Sequence, residues 1–425
     1  MELLQWQKDM KDKLNKNGYL MLSADTGIGK SVLSREILSK TLSGLIITPP
    51  HLLLECYYEF VKMGITPCII KGKDQIITES GIYLIATSHM ALYGVTVKCD
   101  LGVIVCDELH RWKSHVTKLW KNTMKIVKQF KYKIGITATM TPKNSNDFAT
   151  MLLLLVDETR LKYRGSYYKF AEENVRFKKQ WFGTRSIDIA VGLHEFALQK
   201  VQQENLTVMT YEKAGLEVPV MTENDVYFDV TSMYNKKMVE VSVENSEDMD
   251  INEFGYRHSD FCQLSNCFVY KDKDTEGVVK KYAMKEKIEA LKSVIEGEEN
   301  KGVVFYWYKE SLIELKANLK VCDYMEYVSG MDIEIFAKSK AQILLANYKS
   351  MGEGMRVKCA DWVVKFDLIY DAGLIIQSEG RLRYVGRPTP YKIFTLIPNN
   401  DKVMRILNNI KTKKNKMFKI SKGAI

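Results

Sequence analysis

Two groups of residues in this sequence have the types and spacing needed for chemistry on a phosphate. The first is Ala24-Asp25-Thr26-Gly27-Ile28-Gly29-Lys30-Ser31. Glycines at such a turn let successive N–H groups converge on an anion. A helix starting just behind it adds partial positive charge at the same point. Lys30 would then reach the β- and γ-phosphates of a nucleotide, and the Ser31 hydroxyl would take a place on Mg²⁺. The stretch meets the G-x-x-x-x-G-K-[ST] pattern, except that Ala24 stands where the first glycine is usual. It predicts that Thr26, Gly27, Ile28, Gly29, Lys30 and Ser31 hold ATP and Mg²⁺.

The second group is Asp107-Glu108, directly behind the apolar run Leu101-Gly102-Val103-Ile104-Val105-Cys106. Two adjacent carboxylates at the end of a buried strand are costly without a cation. A metal held by Asp107, largely through water, supplies that cation. Glu108 would polarise the attacking water as general base. Upstream of the glycine turn stand Trp6 and Gln7. A glutamine amide offers both donor and acceptor and so can read the two-sided edge of adenine, with an aromatic stacked beside it.

The elements that must position these residues alternate. Tyr19-Leu20-Met21-Leu22 reads as a buried strand, and Val32, Leu33, Ile37 and Leu38 share one helix face. Gly44–Thr48, stopped by Pro49-Pro50, is a further strand, followed by a helix over 51–60. Cys68–Ile70, Tyr83–Ser88 and Ile134–Thr139 are also strands. Such alternation predicts an α/β fold with a parallel sheet, whose ligands sit at the carboxyl ends of the strands. Thr48, Thr87 and Ser88 fall at those ends, where hydroxyls suit either a nucleic-acid backbone or simple strand-end capping. Thr137-Ala138-Thr139 ends another strand, placed to link the nucleotide state to the second half of the chain. A second alternating unit starts near Lys285, with strands at 302–307, 341–346 and 362–366. Within it Ser350-Met351-Gly352-Glu353-Gly354 forms a turn where Gly352 and Gly354 allow close approach to a phosphate of DNA or ATP.

The length of 425 residues predicts two or three domains. No signal peptide and no membrane-length apolar run is visible. Eight cysteines are scattered without a C-x-x-C pair, which fits a reducing cytoplasm. His258, Cys262 and Cys267 lack zinc-site spacing. A formal charge of +10 favours a polyanionic partner. Lys411, Lys413, Lys414, Lys416, Lys419 and Lys422 crowd the C-terminal tail. That tail is either frayed and solvated or a contact for nucleic-acid phosphates.

In order, A-D-T-G-I-G-K-S, I-I-T-P-P, I-A-T-S, D-E-L-H and I-T-A-T resemble the first motor lobe of superfamily 2 helicases. Trp6-Gln7 and Asp107-Glu108-Leu109-His110-Arg111-Trp112-Lys113 resemble the Swi/Snf-like DNA translocases within it. The stretches 146–155 and 167–170 resemble the helical insertion of that family. Val226–Val230 resembles the strand closing its first lobe, and 261–266 a segment near its interlobe junction. The motif Ser350-x-Gly352-x-Gly354 is kept, with Arg356 where asparagine is usual. Gln377, Gly380, Arg381 and Gly386 match a Q-x-x-G-R-x-x-R-x-G-Q pattern, but Tyr384 takes the second arginine's place and Arg387 the last glutamine's.

The resemblance implies two RecA-like lobes with parallel sheets. Residues 1–230 would form the ATP-binding lobe, with a helical insertion after about residue 143. A helical linker would span 231–280, and 281–425 would form the second lobe with its basic tail. Arg381 would stabilise charge on the γ-phosphate, an effect worth ~10³–10⁵ in rate. Gln377 would assist, and Arg383 would substitute for the missing arginine by a small rotation of its helix. Arg383 and Arg387 otherwise fit a solvated basic face or a DNA contact. His110, Thr137 and Thr139 would couple the lobes, and Thr48, Thr87, Ser88 and Ser350 would meet the nucleic-acid strand. The expected activity is ATP-driven movement along DNA, duplex favoured over single strand or RNA, by a cytoplasmic monomer. The short spacing between Val303 and Gly352 resembles minimal motors of bacteria and phages. The alternatives are a strand-separating DNA or RNA helicase, and an ATP-gated nucleic-acid-binding scaffold with little turnover.

Overall fold

The computed structural model describes residues 3–138, 145, 147–182, 185–242, 257–270, 279–328, 331–351, 356–369, 371–405, 407–408 and 411–412. The chain forms two compact units, Met1–Val218 and Pro219–Lys416.

The first unit is built on a seven-stranded sheet. Its strands are β1 (Tyr19–Ala24), β2 (Gly44–Thr48), β3 (Cys68–Ile69), β4 (Ile82–Ala86), β5 (Val103–Asp107), β6 (Tyr132–Thr137) and β7 (Leu206–Met209). Their order is β7-β1-β6-β5-β2-β4-β3, and every pair is parallel. The central strands are apolar throughout because both faces are covered. Alternate residues serve two separate cores. Leu20, Leu22, Ile46, Val103 and Val105 join Trp6, Met10, Leu14, Leu33 and Ile37 from the helices Gln5–Asn17 and Lys30–Thr41. Met21, Leu45, Ile47, Ile104 and Cys106 join Trp120 and Leu152–Leu155 from Lys118–Ile126 and Asp147–Leu155. Cross-strand partners Ser23 with Thr137, Ile136 with Asp107, and Cys106 with Ile47 bring the carboxyl ends level on one rim.

The segment after residue 143 is only partly the expected helical insertion. Helices Asp147–Leu155, Asp157–Lys162 and Tyr167–Asn174 are followed by an antiparallel hairpin, Val175–Phe182 with Arg185–Leu193. The chain then returns through the helix Glu195–Lys200 to β7.

The second unit carries a six-stranded parallel sheet: β8 (Met221–Phe228), β9 (Lys301–Tyr306), β10 (Tyr324–Glu326), β11 (Ile343–Asn347), β12 (Ala360–Lys365) and β13 (Tyr391–Pro398). The order is β8-β13-β12-β9-β11-β10. Val226–Val230, expected to close the first lobe, instead contributes to β8. That strand pairs along its full length with β13, from Met221 with Tyr391 to Phe228 with Pro398. The first sheet ends on β7, which pairs with β1.

The stretch expected as a helical linker also joins the second unit. Its helices Ser232–Ser242 and Arg257–Leu264 lead to a short hairpin, Phe268–Val269 with Lys280–Lys281. Tyr234, Met238, Phe261, Leu264, Cys267 and Phe268 sit in the second unit's core. A buried polar network anchors them. Asp367 accepts from Lys287 (2.9 Å), Ser311 (2.8 Å) and the backbone of Trp307 (2.7 Å). Asn266 exchanges two bonds with the backbone of Leu368, 2.9 and 2.8 Å.

Candidate active site

The glycine turn spans the gap between β1 and the helix that begins at Lys30. Gly27 (φ 88°) and Gly29 (φ 99°) are both in the left-handed region, where a side chain is strained. A Cβ on Gly29 would also lie 3.0 Å from the Gln7 amide nitrogen. No side chain caps the helix behind it, so its N-terminus remains suited to an anion. Lys30 curls over the turn, donating to the carbonyls of Ala24 (2.7 Å) and Asp25 (3.3 Å). Ser31 is exposed at the helix start, whereas Ile28 is buried and roots the loop in the core.

Tyr211, just past β7, braces the same loop. Its hydroxyl donates to the Thr26 carbonyl (3.0 Å), and its N–H donates to the Asp25 carboxylate (3.2 Å). Gln7 braces it from the other side. Its nitrogen donates to the Gly29 carbonyl (3.0 Å) while its oxygen accepts from the Leu4 N–H (2.9 Å). Both ends of that amide are engaged with the protein, so adenine would have to exchange for one of them. Trp6 is a core residue at 4% exposure and offers no stacking face.

Asp107 ends β5, and Glu108 follows it in the left-handed region at φ 54°. That conformation is rare for a side chain of this size and costs ~1–3 kcal/mol. It turns the Glu108 carboxylate towards Thr137 at the end of β6. The Thr137 hydroxyl donates to it at 2.9 Å, and the His110 Nδ1 lies 3.3 Å away. His110 Nδ1 also lies 3.0 Å from the Thr137 hydroxyl, so the three side chains form one closed group. Thr48, from the end of β2, donates to the other carboxylate, Asp107, at 2.9 Å.

The two acids are driven apart in charge. Burial, then the neighbouring Glu108, pushes Asp107 up to about 7, against the Thr48 bond and the Lys30 charge. Burial also penalises an ionised Glu108, but the His110 bond and charge, Lys30 and Thr137 outweigh it and hold the group down at about 2. Glu108 is thereby kept as a carboxylate able to take a hydrogen bond from water. Asp107 is a partly buried acid whose ionised form calls for a cation.

This donor set fits a magnesium nucleotide. Among the described residues no group of three or more His, Cys, Asp or Glu could hold a metal without other ligands. A Mg²⁺ at Asp107 and Ser31 would therefore draw the rest of its shell from water and phosphate oxygens. When bound, it neutralises charge on the transferring phosphoryl group.

The other expected residues divide by burial. Thr48 is 1% exposed and spent on Asp107, so it is an inner support and not a strand contact. Thr87 is buried as the first residue of the helix Thr87–Leu92, while Ser88 beside it is exposed. Ser350 lies in the short helix Tyr348–Met351 and donates to the Asn347 carbonyl at 3.2 Å. Gly352, Gly354 and Thr139 lie outside the described residues.

In the second unit the helix Ala372–Glu379 is capped by Asp371 and stops before Arg381. Arg381 and Arg383 therefore stand in the turn that follows, and no helix rotation can exchange them. Arg381 and Gln377 are buried, at 5% and 3% exposure. The Gln377 side-chain oxygen has no hydrogen-bond partner among the described residues. Arg387 is neither a solvated face nor a free contact. Its guanidinium bonds the carbonyls of Ala360 (2.9 Å) and Leu382 (3.0 Å) and the Asp361 carboxylate, fixing the turn to β12.

Residues 1–144 match the family described as type III restriction enzyme, res subunit. No curated protein matches the chain. Among solved structures the chain is similar to the Sulfolobus solfataricus SWI2/SNF2 ATPase core in complex with double-stranded DNA. The identity is 17% and the TM-score 0.40, covering 100% of this chain and 94% of that one. The family match spans the stretch that carries both the phosphate loop and the acidic pair, from Lys30 to Glu108.

Proposed function

We propose that the chain hydrolyses ATP to move along duplex DNA. The observation that carries this reading is the pairing of Glu108 with Thr137 and His110. It holds a charged base on the same rim as the phosphate loop. Lys30 grips the phosphates, Ser31 and Asp107 hold Mg²⁺, and Glu108 orients and deprotonates the attacking water. Arg381, carried by the second unit, supplies positive charge to the transferring phosphoryl group, with Gln377 and Arg383 as its neighbours in sequence. Ser88, exposed on the rim, and Ser350 are the hydroxyls assigned to the nucleic-acid backbone. The Swi/Snf-like pattern from Asp107 to Lys113 and the net charge of +10 favour DNA as the track.

Displacement of a labelled third strand from a triplex tests this directly. ATP-dependent displacement without opening of a forked duplex is the expected result. Fork opening without triplex displacement would identify a strand-separating helicase instead. Neither activity, with no DNA-stimulated turnover, would leave an ATP-gated binding protein.

A further inference from the structure

The hairpin Val175–Phe182 with Arg185–Leu193 has no part in the nucleotide site, and its exposure is unusual. Its foot is fixed. Val175 and Leu193 are buried in the first unit's core, at 3% and 1% exposure. The Leu193 N–H donates to the Ser145 hydroxyl (2.8 Å), and the His194 N–H donates to the Asn174 carbonyl (2.8 Å). Above the foot, Arg176–Lys179 and Ser186–Ile189 are exposed. Eight paired residues at ~3.4 Å each carry the ribbon about 25 Å. A two-stranded ribbon with both faces in water is marginal by itself.

The register sorts its side chains. Lys178 opposes Ile189, and Gln180 opposes Ile187, so these share one face with Arg176. Phe177 opposes Ala190, and Lys179 opposes Asp188, on the other face. One face therefore sets two cations beside Ile187 (58% exposed) and Ile189 (38%), while the other sets Lys179 beside Phe177 (49%). The stretch holds four basic residues, Arg176, Lys178, Lys179 and Arg185, against one acid, Asp188.

We propose that this ribbon is a duplex-binding element lying in a groove of the nucleic acid. Cations on both faces suit a slot with phosphates along both walls; a single strand offers only one such line. The major groove, ~12 Å wide, admits a two-stranded ribbon. The exposed apolar side chains would lie against base edges and methyl groups, and Arg176, Lys178 and Lys179 against phosphates. Ser145 follows Thr137 by eight residues in the sequence. The proposal rests on the nucleic-acid reading of the ATPase and names where the duplex is held.

The test measures fluorescence anisotropy of the full chain with a labelled duplex and a labelled single strand, between about 50 and 200 mM salt. Wild type is compared with Lys178→Glu/Lys179→Glu and with Ile187→Ser/Ile189→Ser. The charge variant should bind duplex about tenfold or more weakly, with a salt slope shallower by about two. The apolar variant should weaken duplex binding while keeping the wild-type slope. Both should keep the wild-type melting temperature and the ATP turnover measured without nucleic acid. Folded variants that bind duplex as wild type does, or that lose single-strand binding equally, overturn the ribbon assignment alone. A wild-type chain that binds no nucleic acid overturns the functional reading beneath it.

Discussion

At the scale of single residues, the decisive feature is how Glu108 is held. Its left-handed backbone is strained, and the bonds from Thr137 and His110 offset that cost by fixing the carboxylate in its charged form. Replacing Glu108 by Gln should leave ATP binding within about twofold while lowering turnover ~10²–10⁴-fold. Nucleotide titration beside steady-state turnover reads both. Thr137→Ala removes one donor to a charged group and should lower kcat about tenfold with KM for ATP unchanged. Thr137→Ser should restore it; a failure to do so would give Thr137 a packing role only. Lys30, Asp107 and Glu108 were legible in the sequence because phosphate chemistry accepts few residue types at those spacings. The role of Thr48 was not. It meets Asp107 across 59 residues of chain, and a strand-end hydroxyl looks the same whether it faces a ligand or a neighbour. Tyr211 was missed for the same reason, bracing the loop from 186 residues away.

At the scale of elements, the central strands of both sheets were readable because strands buried on both faces are continuously apolar. Edge strands carry no such signal. β8 is exposed along most of its length, and nothing in Met221–Phe228 says which sheet it joins. The hairpin did leave a trace: Val175–Phe182 and Ile187–Val191 are rich in aromatic and β-branched residues with Gly183-Thr184 between them. The likeness to a helical insertion obscured it. Charge inside an element also has a measurable consequence. Lys133, on β6, is 2% exposed and donates to the Phe130 carbonyl and to Asp157, both at 2.8 Å. Burial, then the charge of Arg160, lowers it to about 8. Between pH 8 and about 10.5 the unfolded chain therefore binds the extra proton, and stability should rise with pH across that window. Thermal melts of wild type and Lys133→Met should diverge there, with the rise smaller in the variant. Parallel curves would mean that Asp157 keeps Lys133 charged throughout.

At the scale of the whole molecule, each unit has its own core, and the stretch between residues 231 and 280 belongs structurally to the second. Its charged sequence reads as a connector because the buried partner of Asn266, the backbone of Leu368, lies 102 residues further along the chain. Lys287→Met should leave Asp367 buried without its cation and destabilise the second unit by ~3–5 kcal/mol. Calorimetry should show one transition falling in temperature while the transition of the first unit stays in place. A single unchanged transition would contradict that independence. The central claim is that the phosphate loop and the Glu108 group form a working ATPase whose turnover answers to nucleic acid. The most direct measurement is the steady-state ATP hydrolysis rate of the full chain with Mg²⁺, with and without saturating duplex DNA. Stimulation of about tenfold or more, abolished by Lys30→Ala, is the predicted result. A rate unchanged by duplex DNA, single-stranded DNA and RNA alike, or untouched by Lys30→Ala, would contradict it.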